Sequence, residues 1–150
     1  MGIGQDINQR SFKSEYQKAI VNLIYTYNWI TGKIQQVLDR ENLTMQQFNI
    51  LRILRGSETP LSTLQIRERM LDKMSDTSRI VDRLVLKGLV NKSTCLADKR
   101  LVDVIISEKG LQLLLLLDKH EPDIEQIMMN LSESEAVSLN QLLDKIRHSN

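Results

Sequence analysis

The sequence predicts a mainly α-helical fold with one small β-hairpin and long helices toward both ends of the chain. Three observations predict it. Apolar residues recur at alternating spacings of three and four through most of the 150 residues, the period of a helix with one buried face. Between Leu89 and Ile106 the period drops to two on either side of a polar tip, the pattern of two paired strands. Turn formers such as RGSETP (55–60), Gly88 and Pro122 punctuate the apolar runs.

From residue 8 to 39, Tyr16, Ile20, Leu23, Tyr27, Ile30, Ile34 and Val37 form one stripe on a long helix, and such a stripe needs a helical partner. A second helix starts at Thr44, whose hydroxyl can cap free amides while Gln47 reaches back; Phe48, Leu51 and Leu54 face inward. After the turn at 55–60 comes a third, short helix in LSTLQIRERM, burying Leu61, either Leu64 or Ile66, and Met70. A fourth begins near Ser75 as N-cap and stops at Gly88, which suits the left-handed residue after a helix end. Its inner side is Ile80, Val81, Leu84 and Val85.

Next, Val90, Lys92 and Thr94 alternate with Leu89, Asn91 and Ser93, and Val102, Val104 and Ile106 alternate with Leu101, Asp103 and Ile105. These two strands flank the tip CLADKR (95–100), so a hairpin joins directly to the fourth helix. Ser107 can cap a fifth helix, which Pro122 must kink or break because proline has no amide to donate. Ser132 and Glu135 form a capping box for a last helix, with Ala136, Leu139, Leu142, Leu143 and Ile146 inside.

Composition narrows the function classes. With 41% hydrophobic residues the chain can bury a core as one domain. The apolar run Leu113 to Leu117 is far short of the ~20 residues of a membrane helix, and no signal-peptide pattern is present, so a cytoplasmic protein is expected. Cys95 is the single cysteine, which excludes an intramolecular disulfide and an all-cysteine zinc site. No Gly-rich phosphate loop, paired catalytic carboxylates or nucleophile with a base partner stands out, so neither an enzyme nor a cofactor is expected. His120 and His148 lack a convincing metal spacing, and no metal site is assigned.

The net charge of +1 conceals an asymmetry: residues 1–50 carry +1, residues 51–100 carry +5 and residues 101–150 carry −5. A basic middle of this kind points to nucleic acid, or else to solvated faces of opposite sign. The stretch SDTSRIVDRLVLKGLV (75–90) sharpens the choice, because it places Arg79, Arg83 and Lys87 in one helical row. Like charges at that spacing repel by ~0.2–0.5 kcal/mol per pair. Such a row suggests an anionic partner; the alternative is a salt-bridged outer face, with Asp76 and Asp82 in helical reach of Arg79. Helices two to four followed by the hairpin are in winged helix-turn-helix order, in which one helix enters the major groove and the hairpin reaches beside it. An Arg fork there can bind guanine O6 and N7 together or grip a phosphate, and Ser75, Thr77 and Ser78 at the helix start can hold phosphate oxygens. Lys92, Lys99 and Arg100 on the hairpin are candidates for phosphate or minor-groove contact.

In LTMQQFNILRIL (43–54), SRIVDRLVLKGLV (78–90), DKRLVDVIISEKG (98–110) and LSESEAVSLNQLLDKI (131–146), the chain resembles the MarR family of winged-helix transcription regulators over nearly its whole length. The resemblance implies one MarR-like domain over residues 1–150: a DNA-binding lobe at 44–106 and dimerisation helices at 8–39 and 108–150. It implies a homodimer on a pseudo-palindromic operator, usually repressing, and released by small aromatic or phenolic ligands. Arg79 and Arg83 fall where the family's recognition helix has arginines. Asp98 and Arg100 match the wing's Asp-x-Arg, whose arginine enters the minor groove while the aspartate helps hold it. The chain departs from the pattern at Arg67, where a small residue is common, and in the next turn, which lacks the usual glycine.

A ligand pocket, if the chain follows the family, would draw on Tyr25 and Trp29, although an aromatic stripe is more often core. Two competing readings remain: a winged-helix module that binds only protein, and a redox-sensing regulator acting through Cys95, whose pKa Lys92 or Lys99 can lower.

Overall fold

The computed structural model describes residues 1–94, 96–98, 100 and 102–148. The redox reading of Cys95, the phosphate contact of Lys99 and the strand position of Leu101 lie outside the described residues. Two compact units divide the chain, residues 1–45 and 46–150.

The first unit opens with α1 (Ile3–Asp6) and continues into α2 (Glu15–Leu38). The long helix thus begins at Glu15 and not at residue 8. Asn8 sits in the left-handed region (φ 54°), where no helix continues. Ser14 then caps α2 by accepting from the Gln17 amide at 3.1 Å, while Gln17 Oε1 accepts from the Lys13 amide at 2.7 Å. A 3₁₀ turn, Asp39–Glu41, ends at Asn42, again left-handed (φ 54°). The Gln35 amide braces this end by donating to Leu43 O at 2.8 Å and Asp39 Oδ1 at 2.7 Å. Leu38 is the one residue of α2 that is fully buried, whereas Tyr16, Ile20 and Tyr27 stand exposed on its apolar stripe.

The second unit takes in α3 (Met45–Arg55) after its first residue, then β1 (Leu61–Ser62), α4 (Thr63–Arg69), α5 (Thr77–Leu86), β2 (Val90–Thr94), β3 (Val102–Ile106), α6 (Glu108–Asp118), α7 (Glu121–Glu125) and α8 (Glu133–Arg147). Ile50, Leu51, Ile66, Val81, Leu84, Val90, Val104 and Leu114 form its core, each 1% exposed or less. Ile66 is the inward residue of α4 and Leu64 the outward one. The hairpin gains a third strand, in the order β1-β3-β2 with Leu61 opposite Val104. Ser62 serves twice, as the end of β1 and as the N-cap of α4, in a capping box with Gln65. The turn from α4 to α5 needs no glycine, because among the described residues none between Arg69 and Thr77 has a positive φ. Asn49 Oδ1 accepts from the Leu71 amide and Asp72 Oδ1 from the Met74 amide, both at 2.9 Å. Side chains therefore shape this turn.

The junction of α5 with the sheet and α6 is closely tied. Gly88 takes φ +72°, as expected of the residue that ends a helix. Ser107 Oγ donates to Gly88 O at 2.6 Å and accepts from the Gly110 amide at 3.0 Å; Lys109 Nζ donates to Lys87 O at 2.9 Å. One hydroxyl caps α6 while satisfying a carbonyl left over at the end of α5. Gly110 is required here, since a Cβ would strike the Leu89 carbonyl oxygen and stand 2.7 Å from Ile106 Cγ1. Gly110→Ala is therefore expected to destabilise the unit by about 1–3 kcal/mol or more, as overpacking against backbone does. Urea unfolding at fixed pH measures it, and an unchanged midpoint would refute the packing described.

Pro122 breaks the chain as its missing amide requires: α6 stops at Asp118, and α7 starts anew with Pro122 in its first turn. The capping box of α8 is present. Ser132 donates from its amide and hydroxyl to Glu135 Oε2 at 2.8 and 3.0 Å, and accepts from the Glu135 amide at 3.3 Å. The Ser132 amide, and after it the hydroxyl, hold the Glu135 carboxyl below its ordinary value of 4.5. A lowered folded pKa stabilises α8 above the ordinary value, and that contribution is lost as pH falls toward the folded one. Acid titration of helicity should therefore show a loss below pH 4.5 that Glu135→Gln removes.

Candidate nucleic-acid interface

An amphipathic helix with Val81 and Leu84 at 0% exposure must turn Ser78, Arg79, Asp82, Arg83 and Leu86 outward, and all five are exposed. Among the described residues no ion pair engages the guanidinium of Arg79 or Arg83. Both expected acidic partners are committed elsewhere. Asp76 is the N-cap of α5, accepting from the Arg79 backbone amide at 3.3 Å, and Asp82 pairs with Lys92 Nζ at 2.7 Å. The two arginines thus keep their donors for another molecule. Lys87, third in the row by sequence, instead donates to Gln47 Oε1 at 3.0 Å, so the outward row ends at Arg83.

The head of α5 differs from expectation. Asp76 and not Ser75 caps it, because Asp76 Oδ1 reaches the third amide of the helix. Ser75 lies in the preceding turn, and Thr77 is 3% exposed; the hydroxyls of both are buried without a partner among the described residues. That takes their side chains out of the outer row and leaves Ser78 as its exposed hydroxyl. The Asp76 carboxylate also occupies the position from which a phosphate would meet the free amides. Beside it is an open cleft of about 440 Å³ lined by Thr63, Arg67, Ser75 and Ser78 among others. Arg67 was not singled out as a contact by sequence; its place in this cleft comes from α4 packing beside the head of α5, a contact between elements that carries no periodic signal.

On the hairpin, Lys92 shares a face with Val90 and stands opposite Val104, which is fully buried. Val90 and Val104 on this face are buried, while the exposed Lys92 reaches across to Asp82 on the outer face of α5. At the tip, Asp98 Oδ1 accepts from the Arg100 amide at 3.0 Å and from Arg100 Nε at 3.3 Å. The Arg100 side chain remains 91% exposed. The aspartate therefore fixes the base of the arginine, and among the described residues its terminal nitrogens meet no acceptor. In the first unit, Tyr25 and Trp29 are 41% and 47% exposed, and Lys33 Nζ lies 5.9 Å from the Trp29 ring centroid. A cavity of about 450 Å³ in that unit is lined by residues between Gly2 and Lys18, not by Tyr25 or Trp29. No helix among the described residues is long and apolar enough to cross a membrane.

The MarR family model matches residues 43–102, from just before α3 to the first residue of β3. The HTH-type transcriptional regulator MhqR of Bacillus subtilis (strain 168) is 25% identical over 131 residues, 86% of this chain and 89% of that protein. A solved structure of BpsR from Bordetella bronchiseptica, whose DNA binding is regulated by 6-hydroxynicotinic acid, is 25% identical with a TM-score of 0.72, over 84% of this chain and 96% of that one. The crystal structure of a MarR transcription factor from Planctomyces limnophilus is 30% identical with a TM-score of 0.69, covering 89% of this chain and 98% of its own. With that identity over almost the whole of a MarR transcription factor, and with the winged-helix order and small three-stranded sheet described above, the chain belongs to the MarR family of DNA-binding transcription regulators.

Proposed function

We propose that the protein is a homodimeric, sequence-specific repressor that binds a pseudo-palindromic operator in the cytoplasm and is released by a small aromatic or phenolic molecule. The observation that carries the DNA contact is the pair of exposed arginines, Arg79 and Arg83, on the outer face of α5, with no acidic partner among the described residues. Residues 44–106 form the DNA-binding lobe, with α5 in the major groove and Arg100 at the minor groove. Arg79 reads a base edge, Arg83 and Ser78 grip the backbone, and Asp98 orients Arg100. The segments 8–39 and 108–150 dimerise. Support for this comes from apolar side chains exposed on α2 (Tyr16 86%, Ile20 59%, Tyr27 64%) and on α8 (Leu142 59%, Ile146 65%), which a second copy would cover.

Release by a ligand requires tighter binding to a conformation that does not fit the operator. Tyr25 and Trp29 are the residues offered for it, with an aromatic ring as their natural partner, and the regulation of BpsR by 6-hydroxynicotinic acid lends support from a relative.

Titration of the wild-type protein with random duplex at low salt, then over a salt series, tests the DNA reading. Binding should weaken with a linear dependence of log affinity on log salt, as phosphate neutralisation demands. A protein-only module would show no binding at the lowest salt. Adding small phenols and hydroxylated aromatic acids to the bound complex tests release, and complete indifference to all of them would remove the ligand from the account.

A further inference from the structure

Asp82 is an odd residue for its place. It sits at the centre of the outer face of α5, three residues after Arg79 and four after Ser78, where DNA phosphate would repel it. Its side chain is 61% exposed, and Lys92 Nζ holds Oδ1 at 2.7 Å from the neighbouring strand. Among the described residues Oδ2 has no partner. The ammonium cancels much of the charge and fixes the carboxylate in one direction, leaving an acceptor aimed by a strand on a helix that reads DNA. A carboxylate can only accept hydrogen bonds. In the major groove the donors are the exocyclic amino groups of cytosine (N4) and adenine (N6); guanine O6 and N7 and thymine O4 are acceptors and would face it unfavourably.

We propose that Asp82 is a specificity-determining residue, accepting from the exocyclic amino group of one base in each half-site, and that Lys92 is its positioning residue. This rests on the DNA-binding reading above and adds a selection rule to it: an amino-bearing base at one symmetric position, enforced as much by repulsion of the wrong bases as by attraction of the right one. It also assigns Lys92 a role other than gripping phosphate.

The test compares wild type, Asp82→Asn, Lys92→Ala and Lys92→Arg on duplexes selected by the wild type and on scrambled ones. Asp82→Asn should bind scrambled duplex roughly threefold tighter or more, because a like charge has left the interface. Its preference at one symmetric position should fall by about five- to a hundredfold per half-site. Lys92→Ala should relax the same position, and Lys92→Arg, which keeps the pair, should preserve it. A second arm needs no variant: N4-methylcytosine or N6-methyladenine at that position keeps base pairing but replaces the groove-facing hydrogen. Whichever of the two weakens wild-type binding identifies the base. If wild type selects duplexes and Asp82→Asn selects identically, or weakens all of them by one factor, the residue is only a strut and the proposal fails. If wild type itself shows no preference, the DNA reading fails first, before any variant is made, and this proposal falls with it.

Discussion

Placing aspartates at Ile20 and Tyr27 together should convert the protein to a monomer and cut its operator affinity by about 10²- to 10⁴-fold. Both side chains are on the exposed part of the α2 stripe, 59% and 64% accessible, so charges there remove nothing from the core of the single chain. Across the proposed dimer interface they would be buried without partners, which is strongly unfavourable. The affinity loss follows because a dimer binds its second half-site at the high effective concentration set by the first, an advantage that separate protomers lack. Sedimentation at micromolar concentration reads the first effect and a binding titration the second, with circular dichroism as a check on the fold. A folded monomer with undiminished operator affinity would refute the dimeric account.

Arg79→Ala should cost about 1–3 kcal/mol at each half-site and relax preference at one symmetric position, the signature of a lost bidentate contact to a base. The geometry makes this a clean deletion. Among the described residues the guanidinium has no acidic partner that the substitution would leave unpaired, since Asp76 is held by the helix amide and Asp82 by Lys92. Stability should therefore move by less than about 0.5 kcal/mol, the usual range for an exposed site. Arg83→Ala, if Arg83 contacts only phosphate, should weaken all sequences alike and reduce the salt slope by about one unit per contact, hence about two per dimer. Loss of affinity with preference intact in both variants would show that α5 grips without reading.

Much of this architecture was legible before the structure. The change of period at Leu89, the left-handed Gly88, the Pro122 break and the Ser132–Glu135 box are local signals, each set by the chemistry of a few adjacent residues, and each appears where the sequence placed it. What was not legible depends on distant partners. β1 is only two residues, too short to show a period, and exists because β3 offers an edge to Leu61. Ser75 and Asp76 are equally good caps by type; the turn held by Asn49 and Asp72 decides between them. For the site, the outward arginines were readable from helical periodicity. The inward turn of Thr77 was not, nor was the diversion of Lys92 to Asp82, which follows from the face it shares with Val90.

The central claim is that two copies of α5 read DNA as a symmetric pair. Selection of bound fragments from a pool of random duplexes by the wild-type protein tests it most directly. The account predicts an enriched pseudo-palindrome whose half-sites are centred about 10–10.5 base pairs apart, or a multiple of that, with a guanine in each half that Arg79→Ala no longer selects. An unenriched pool, or a single asymmetric half-site bound by one chain, would contradict it.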